Sequence, residues 1–177
     1  MKRLIAMLSL CVCLGAGVQA RSATLPVACG DDKIQFDVKT LKDQPAPAPP
    51  AQGKAQIVFV ENENQMVAPF SDATVRFALD GAWVGADYGN SYFAVDVAPG
   101  LHHLCASWQG LLGRKNFDLA PLTAEPGKVY YFAAQVTAGS KYSASAFGLS
   151  QLNDDQGQYR VKAFKRSTWK ARWGPAD

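Results

Sequence analysis

Residues 75–108 read VRFALDGAWVGADYGNSYFAVDVAPGLHHLCASW. The stretch consists of short runs rich in aromatic and β-branched residues, which favour strands. The runs are separated by Asp80-Gly81 and Pro99-Gly100, dipeptides typical of tight turns because Gly accepts a positive φ there. Short strands with turns at this spacing predict an all-β fold, a β-sandwich.

The same pattern continues on both sides of this stretch. Residues 34–38 read IQFDV, in which apolar and polar residues alternate as in a half-buried strand. The sequence predicts about eight or nine short, mostly antiparallel strands, at residues 34–38, 55–60, 74–79, 83–85, 92–97, 101–108, 129–137, 147–152 and 159–164. Residues 154–157 are expected to form the last turn, and no stretch predicts a helix beyond one turn within residues 111–119.

Residues 1–20 have the features of a secretory signal peptide. Lys2 and Arg3 precede an apolar run, and Ala20 precedes the expected cleavage site. The run is shorter than the roughly 20 residues that span a bilayer. We therefore expect an exported chain, in the periplasm or outside the cell, with no transmembrane segment after cleavage. Two alternatives stay open, an uncleaved N-terminal anchor and a lipid anchor on Cys11 or Cys13, which would make it a lipid-anchored envelope protein.

The mature chain divides by composition into four parts. An N-terminal strand segment covers residues 21–43, and a proline-rich linker covers residues 44–52, which read QPAPAPPAQ. Prolines at this density exclude a helix and favour extended polyproline II. The sandwich domain is expected at residues 53–168, followed by a basic and aromatic tail at residues 169–177.

Charge and cysteine content narrow the class of protein. Removing Lys2 and Arg3 from the 18 basic residues leaves 16, against 15 acidic ones, so the mature chain is nearly neutral and makes no case for nucleic acid. Two cysteines remain, Cys29 and Cys105. In an oxidising compartment we expect them to form a disulfide, the alternative being two buried thiols.

Several long motifs resemble an uncharacterised bacterial family, domain of unknown function 2846 (DUF2846). They are CG at Cys29, GKAQIVFV at Gly53, VRFALDGAWVGADYGNSYF at Val75, APGLHHLCASWQ at Ala98 and LTAEPGKVYYF at Leu122. The resemblance covers roughly residues 27–165. It implies an exported bacterial protein, in some members a lipoprotein, and assigns no activity. A weaker similarity to PEGA-type surface β-domains implies an envelope or adhesion module.

Candidate reaction chemistry is sparse. His102 and His103 are adjacent on a predicted strand, so their side chains point to opposite faces and cannot share a metal ion. Metal-ligand spacings such as C-x-x-C are missing from the sequence. The sharpest enzymatic hypothesis pairs Cys105 with His103, at i and i+2 on one face, in a thiol enzyme or hydrolase. A disulfide at Cys105 would remove that thiol, so we predict no catalytic, cofactor-binding or metal-binding residues.

Exposed aromatic and basic side chains are the candidates for binding. The candidate surface-binding residues are Trp83, Tyr88, Tyr92, Trp108, Lys165, Arg166 and Trp169. Core packing is the alternative for the aromatic members, and a final strand with a solvated tail is the alternative for residues 159–173. Basic residues interleaved with aromatic ones suit an anionic polymer or lipid headgroups. The sequence thus predicts a non-enzymatic binding or structural module, without a cofactor, whose partner is an envelope protein, glycan or lipid surface.

Export gives the first testable prediction. Expressed with its leader in a bacterial host, the protein is expected in the periplasm or culture fluid with Arg21 as its first residue, because the signal peptidase cleaves after small residues. Intact-mass analysis of the recovered protein measures this. A mass that retains Met1, or that carries acyl chains on Cys11 or Cys13, would show an anchor instead.

Overall fold

The computed structural model describes residues 26–42, 45–62, 74–109, 116–137 and 146–173 of the 177-residue chain. The described residues form ten strands, one α-helix and a 3-10 turn at Val27–Cys29. The elements are β1 (Ile34–Leu41), β2 (Ala55–Asn62), β3 (Thr74–Leu79), β4 (Ala82–Tyr88), β5 (Ser91–Val97), β6 (Gly100–Gln109), β7 (Phe117–Ala124), β8 (Val129–Thr137), β9 (Ala146–Leu152), α1 (Asp154–Ala163) and β10 (Lys165–Trp173).

The strands form two sheets that pack face to face, so the predicted all-β sandwich is confirmed. The first sheet has the order β1-β10-β5-β2-β8-β9, and the second has the order β4-β3-β6-β7. Most neighbours are antiparallel; the pairs β2–β8 and β5–β10 are parallel. The expected signal peptide and its expected cleavage site lie outside the described residues.

Four strands place aromatic rings at the centre of the sandwich. The ring centroids of Phe59 and Phe77 lie 4.7 Å apart, those of Phe59 and Phe93 lie 5.3 Å apart, and those of Phe77 and Phe93 lie 5.7 Å apart. Gly85 on β4 leaves room for this cluster, since a Cβ there would lie 2.6 Å from the Phe93 ring. Trp169 on β10 completes it, at 4.5 Å from Phe93.

Strand β2 is buried on both faces. Its residues from Ala55 to Glu61 are all buried, because one face points into the sandwich and the other is covered by other segments of the protein. Val58 and Val60 on the outer face pack with Val161 and Phe164, at the end of α1. A strand covered on both sides reads as a continuous apolar run, as the sequence shows here.

The prediction of a turn at residues 154–157 and a strand at residues 159–164 is wrong, because α1 occupies both. Asn153 caps the helix: its side chain accepts a hydrogen bond from Gln156 N–H, and the Gln156 side chain accepts one from Asn153 N–H. This reciprocal capping box starts a helix and satisfies amides that would otherwise lack partners. Gly157 allows α1 to lie directly on the Tyr131 ring of β8.

Strand β7 is also absent from the predicted set. Pro121 lies in its middle, and proline interrupts the ladder of a central strand. The structure places β7 at the edge of the four-stranded sheet, where a missing N–H is tolerated. The helical turn predicted within residues 111–119 is wrong for residues 117–119, which belong to β7; residues 111–115 lie outside the described residues.

The predicted disulfide is confirmed as a bonded pair. Cys29 and Cys105 have Cα atoms 5.0 Å apart. The bond holds the 3-10 turn against the outer face of the four-stranded sheet, where Gly81 N–H donates to Ala28 O at 3.1 Å. A Cβ on Gly81 would lie 2.8 Å from Val27 O, so this close approach of two backbones requires glycine.

The N-terminal and C-terminal segments form one ribbon. β1 and β10 pair antiparallel over eight residues, from Ile34 opposite Trp173 to Leu41 opposite Arg166. The boundary predicted between residues 168 and 169 therefore falls inside β10, and residues 34–41 belong to the six-stranded sheet. The Gln109 side chain on β6 brackets β1 from the other side, since it accepts from Phe36 N–H and donates to Phe36 O.

Close packing of α1 gives a stability prediction. Replacing Gly157 by Ala adds a Cβ 2.1 Å from Tyr131, so the helix must shift. We expect Gly157→Ala to lower the free energy of unfolding by about 1–3 kcal/mol, although Ala normally favours a helix by about 1 kcal/mol over Gly. Urea unfolding of the purified variant measures this.

Gly148→Ala is the matched control, since a Cβ there meets its nearest described neighbour only at 3.8 Å. Its free energy of unfolding is expected to stay near that of the wild type. A Gly157→Ala protein more stable than the wild type would contradict the contact between α1 and Tyr131.

Candidate functional site

A cleft of about 400 Å³ opens where three separate segments meet. These are the end of β1, the proline-rich segment and the junction between α1 and β10. We call it the basic cleft; its described lining residues are Leu41, Lys42, Ala46, Val161, Lys162, Ala163, Phe164, Lys165 and Arg166. Its volume lies in the range of small-molecule sites, which is roughly 300–1,000 Å³.

The proline-rich segment forms one wall and is fixed in place. Gln56 Nε2 donates to Ala48 O at 3.0 Å and to Asp96 Oδ1 at 3.1 Å, and Asp96 Oδ2 accepts from Ala51 N–H at 3.1 Å. The segment predicted as a linker therefore lies along the outer face of the six-stranded sheet. This anchoring holds Ala46 beside the other walls of the basic cleft.

The junction between α1 and β10 forms the opposite wall. Phe164 N–H donates to Arg160 O at 2.8 Å and ends the helix, and Lys165 N–H donates to Asn90 O at 3.3 Å. The Arg160 guanidinium lies 5.3 Å from the Phe164 ring centroid. These contacts fix the backbone from which Lys162, Lys165 and Arg166 extend.

The electrostatics of the basic cleft are one-sided. Four of its lining side chains are cationic, and its described lining contains no carboxylate: the cations are Lys42, Lys162, Lys165 and Arg166. Burial raises the pKa of the neighbouring Tyr92, while the charge of Arg166 acts in the opposite direction. Cationic residues around a partly enclosed space raise the local concentration of anions.

Of the sequence candidates, the structure brings only Lys165 and Arg166 into the basic cleft. Tyr92 is 2% exposed and belongs to the core, whereas Trp169 is half-buried and packs on Phe93. Trp83 lies under the N-terminal segment, where its Nε1–H donates to Asp31 O at 2.8 Å. The candidates therefore do not form one aromatic patch.

The two remaining aromatic candidates contribute little open surface. Tyr88 is 37% exposed at the end of β4, and Trp108 is half-buried near the end of β6. Lys42, Leu41 and Ala46 of the basic cleft were not among the candidates. Nothing local marks them, because they meet Arg166 only through the pairing of β1 with β10.

His102 is engaged at both ring nitrogens. Nδ1 lies 2.6 Å from Asp80 Oδ2 and Nε2 lies 2.8 Å from Ala98 O, so both partners are acceptors and the imidazolium form suits the site. Burial works against the charge of His102, but these hydrogen bonds and the Asp80 charge outweigh it and raise its pKa. Both nitrogens are thus occupied, which leaves none for a metal ion or for general-base chemistry.

Asp80 joins two turns through the same pair. Burial works against its ionisation, but hydrogen bonds from His102 and from His103 N–H, together with the histidine charges, lower the pKa of Asp80. Asp80 itself has a φ of 52°, a left-handed conformation that Asp tolerates in turns. The best explanation of the Asp80–His102 pair is structural: it links the β3–β4 turn to the β5–β6 turn.

A second polar cluster lies inside the sandwich. Ser167 Oγ donates to Ser91 Oγ at 2.7 Å, and Ser91 Oγ lies 3.4 Å from Asp87 Oδ1. Asp87 is 0% exposed, and its Oδ2 has no hydrogen-bond partner among the described residues. Burial raises the pKa of Asp87 to about 8, even though the hydroxyls of Ser167 and Ser91 act in the opposite direction.

Neither a metal cluster nor a membrane-spanning helix occurs among the described residues. The described residues contain no group of three or more His, Cys, Asp or Glu that could hold a metal ion. Within the described part of the chain, no helix has the length and apolar character needed to cross a bilayer.

Comparison with protein-family models, with curated proteins and with solved structures finds no match to this chain. The relation to DUF2846 and to PEGA-type domains stays a prediction from the motifs.

Asp87 gives a pH prediction. Its folded pKa of about 8 lies above the ordinary value of 3.8, so the folded state binds a proton more tightly than the unfolded chain. The contribution of Asp87 to the free energy of unfolding therefore falls as the pH rises from about 4 to about 8, and it is level above that window. Asp87→Asn, which cannot ionise, is expected to lose this slope and to be more stable than the wild type near neutral pH.

Urea unfolding at several pH values across that window measures the difference between the two proteins. The control is Asp37→Asn, whose side chain is 66% exposed; it should keep the wild-type slope. Because the raised pKa of His102 gives a slope of the same sign above 6.5, only the difference between wild type and variant reports on Asp87. Equal slopes for wild type and Asp87→Asn would contradict the assignment.

Proposed function

We propose that this protein is an exported, non-enzymatic binding module of the cell envelope. In this proposal it binds an anionic group of an envelope component, and the basic cleft is the site. The observation that carries the proposal is that four residues lining this cleft of about 400 Å³ are cationic, namely Lys42, Lys162, Lys165 and Arg166. An unoccupied cluster of like charges is unfavourable by itself, whereas an anion bound among them offsets the repulsion.

The low net charge of the mature chain supports a local site over bulk attraction. With 16 basic residues, Arg21 included, against 15 acidic ones, the chain as a whole does not attract polyanions strongly. Charge gathered in one cleft favours a discrete anionic group, on a protein, glycan or lipid surface, over nucleic acid. Nucleic-acid sites normally present a stripe of cations along the phosphate backbone.

The disulfide supports export. Bonds between cysteines persist in the periplasm and outside the cell, and they are rare in the cytosol. The pair Cys29 and Cys105 thus agrees with the signal peptide expected at residues 1–20 and with membership in DUF2846, which are part of the same proposal.

A hydrolase or thiol-dependent enzyme that uses Cys105 and His103 is the alternative. Cys105 is bonded to Cys29 and is 0% exposed, so it offers no thiolate in this structure. His103 is exposed, and its backbone N–H is bound to Asp80. These contacts favour the binding module.

Charge reversal at the basic cleft tests the proposal. Lys165→Glu/Arg166→Glu is expected to weaken co-sedimentation of the mature protein with bacterial envelope fragments by about tenfold or more at low salt, because two attractions become repulsions. The wild-type protein should also bind less at high salt, because the interaction is between charges.

The matched control is Lys54→Glu/Lys128→Glu, which makes the same charge change on exposed residues outside the basic cleft. It is expected to bind within about twofold of the wild type, since it leaves the lining intact. Equal binding of all three proteins, or equal loss in both double variants, would refute the basic cleft as the binding site.

A further inference from the structure

We infer that the ligand of the basic cleft is an anionic amphiphile: a phosphate or carboxylate head with a hydrocarbon chain attached. This inference rests on the proposed function and names the ligand class for that site. The head lies among the cations, and the first methylenes of the chain lie on the apolar part of the lining.

The composition of the lining favours an amphiphile. Besides the four cations, every described lining residue is apolar: Leu41, Ala46, Val161, Ala163 and Phe164. The described lining thus has no Ser, Thr, Asn, Gln or carboxylate side chain. Glycans and peptides present many neutral donors and acceptors that need such partners, because an unpaired polar group is costly to bury. A charged head on a hydrocarbon chain needs only cations and apolar surface.

The apolar part of the lining is held rigidly and is partly exposed, which suits a hydrocarbon chain. Val161 and Phe164 pack against Val58, Val60 and Tyr92, so the floor of the basic cleft is backed by the core of the protein. Leu41 at its rim is 38% exposed. Covering this surface with hydrocarbon removes apolar area from water, which stabilises the complex by about 25 cal/mol per Å².

The volume of the basic cleft also favours a ligand larger than its anionic head. A cleft of about 400 Å³ has room for more than a phosphate or carboxylate group alone. The additional space adjoins apolar side chains, where a hydrated sugar or peptide would lose water without gaining partners.

The face of α1 beside the cleft also favours an amphiphile. Tyr159 is 67% exposed, and it lies three residues before Lys162 and four before Ala163, so all three share one side of the helix. A tyrosine with an apolar ring and a polar hydroxyl suits the boundary between water and hydrocarbon. The lipid headgroups of a membrane surface and free amphiphiles share the chemistry that this arrangement recognises.

Head and chain can be tested separately by calorimetry on the purified mature protein. The ligands are methyl phosphate, which offers the head alone, and octyl phosphate below its micelle concentration. We expect octyl phosphate to bind at least about tenfold more tightly, since two buried methylenes are enough for that difference. Octyl glucoside, with the same chain and a neutral head, is expected to bind at least about tenfold more weakly than octyl phosphate.

Two variants assign the two parts of the site. Leu41→Ser is expected to weaken octyl phosphate by about threefold to tenfold and to leave methyl phosphate unchanged. Leu101→Ser is the matched control, because Leu101 is 64% exposed on β6, outside the basic cleft, and it should bind both as the wild type does. Lys165→Glu/Arg166→Glu should lose both phosphates. Thermal melts of each variant verify that it is folded.

The outcomes separate the two proposals. Equal affinity for methyl and octyl phosphate, with Leu41→Ser unchanged, would overturn the amphiphile and leave the anion-binding module standing. Loss of neither phosphate in Lys165→Glu/Arg166→Glu would overturn both. Co-sedimentation with phosphatidylglycerol vesicles, but not with phosphatidylcholine vesicles, would assign the headgroup of a membrane lipid; binding of octyl phosphate without vesicle binding would assign a free amphiphile.

Discussion

The pairing of β1 with β10 is the interaction on which the rest of the structure depends. It joins segments more than 120 residues apart in sequence over eight residue pairs, so its formation carries the entropy cost of closing almost the whole chain. Other contacts offset this cost. Trp169 packs into the aromatic cluster, while the disulfide of Cys29 and the side chain of Arg76 hold the chain that enters β1. Without the ribbon, Leu41 and Arg166 would not meet and the basic cleft would lose a wall.

Two buried ionisable side chains, Arg76 and Asp87, lie close in the fold. Arg76 is 3% exposed and donates to the carbonyls of Asp32 and Ile34, while Asp87 is 0% exposed beside Ser91. Arg76 is opposite Ala86 in the β3–β4 ladder, next to Asp87 along β4, so the two side chains point to opposite faces of the sheet. Arg76 contacts these backbone oxygens, Ser107 Oγ and the Trp83 ring, while burial raises the pKa of Asp87 to about 8. Each helps to fix one arrangement of the chain around the four-stranded sheet.

The sequence predicts what local chemistry decides. Alternation at residues 34–38, the Asp80-Gly81 turn and the only two cysteines after residue 20 are sufficient to predict β1, the β3–β4 hairpin and the disulfide. Asn153 followed by Gln156 is a signal for the start of α1. However, Asp154, Asp155 and Gly157 are equally typical of a turn. Gly157 serves packing on Tyr131, a contact with a strand more than 20 residues earlier that no local pattern reveals. Tyr92 was ambiguous because β5 is covered on both faces, and Lys42 gave no local signal because its partners come from the other end of the chain.

The two cationic residues at the start of β10 also pair with β5. Lys165 opposite Ser91 and Arg166 opposite Tyr92 are the residue pairs of the parallel ladder that joins the ribbon to β5. The cationic residues Lys165 and Arg166 therefore lie at the point where the ribbon is attached to the rest of the sheet. If the cleft binds an anion as proposed, a ligand that binds only the assembled cleft stabilises the folded chain by RT ln(1 + [L]/Kd), about 2.7 kcal/mol at a ligand concentration one hundred times Kd. Under that proposal, ligand binding and attachment of the ribbon are thermodynamically linked.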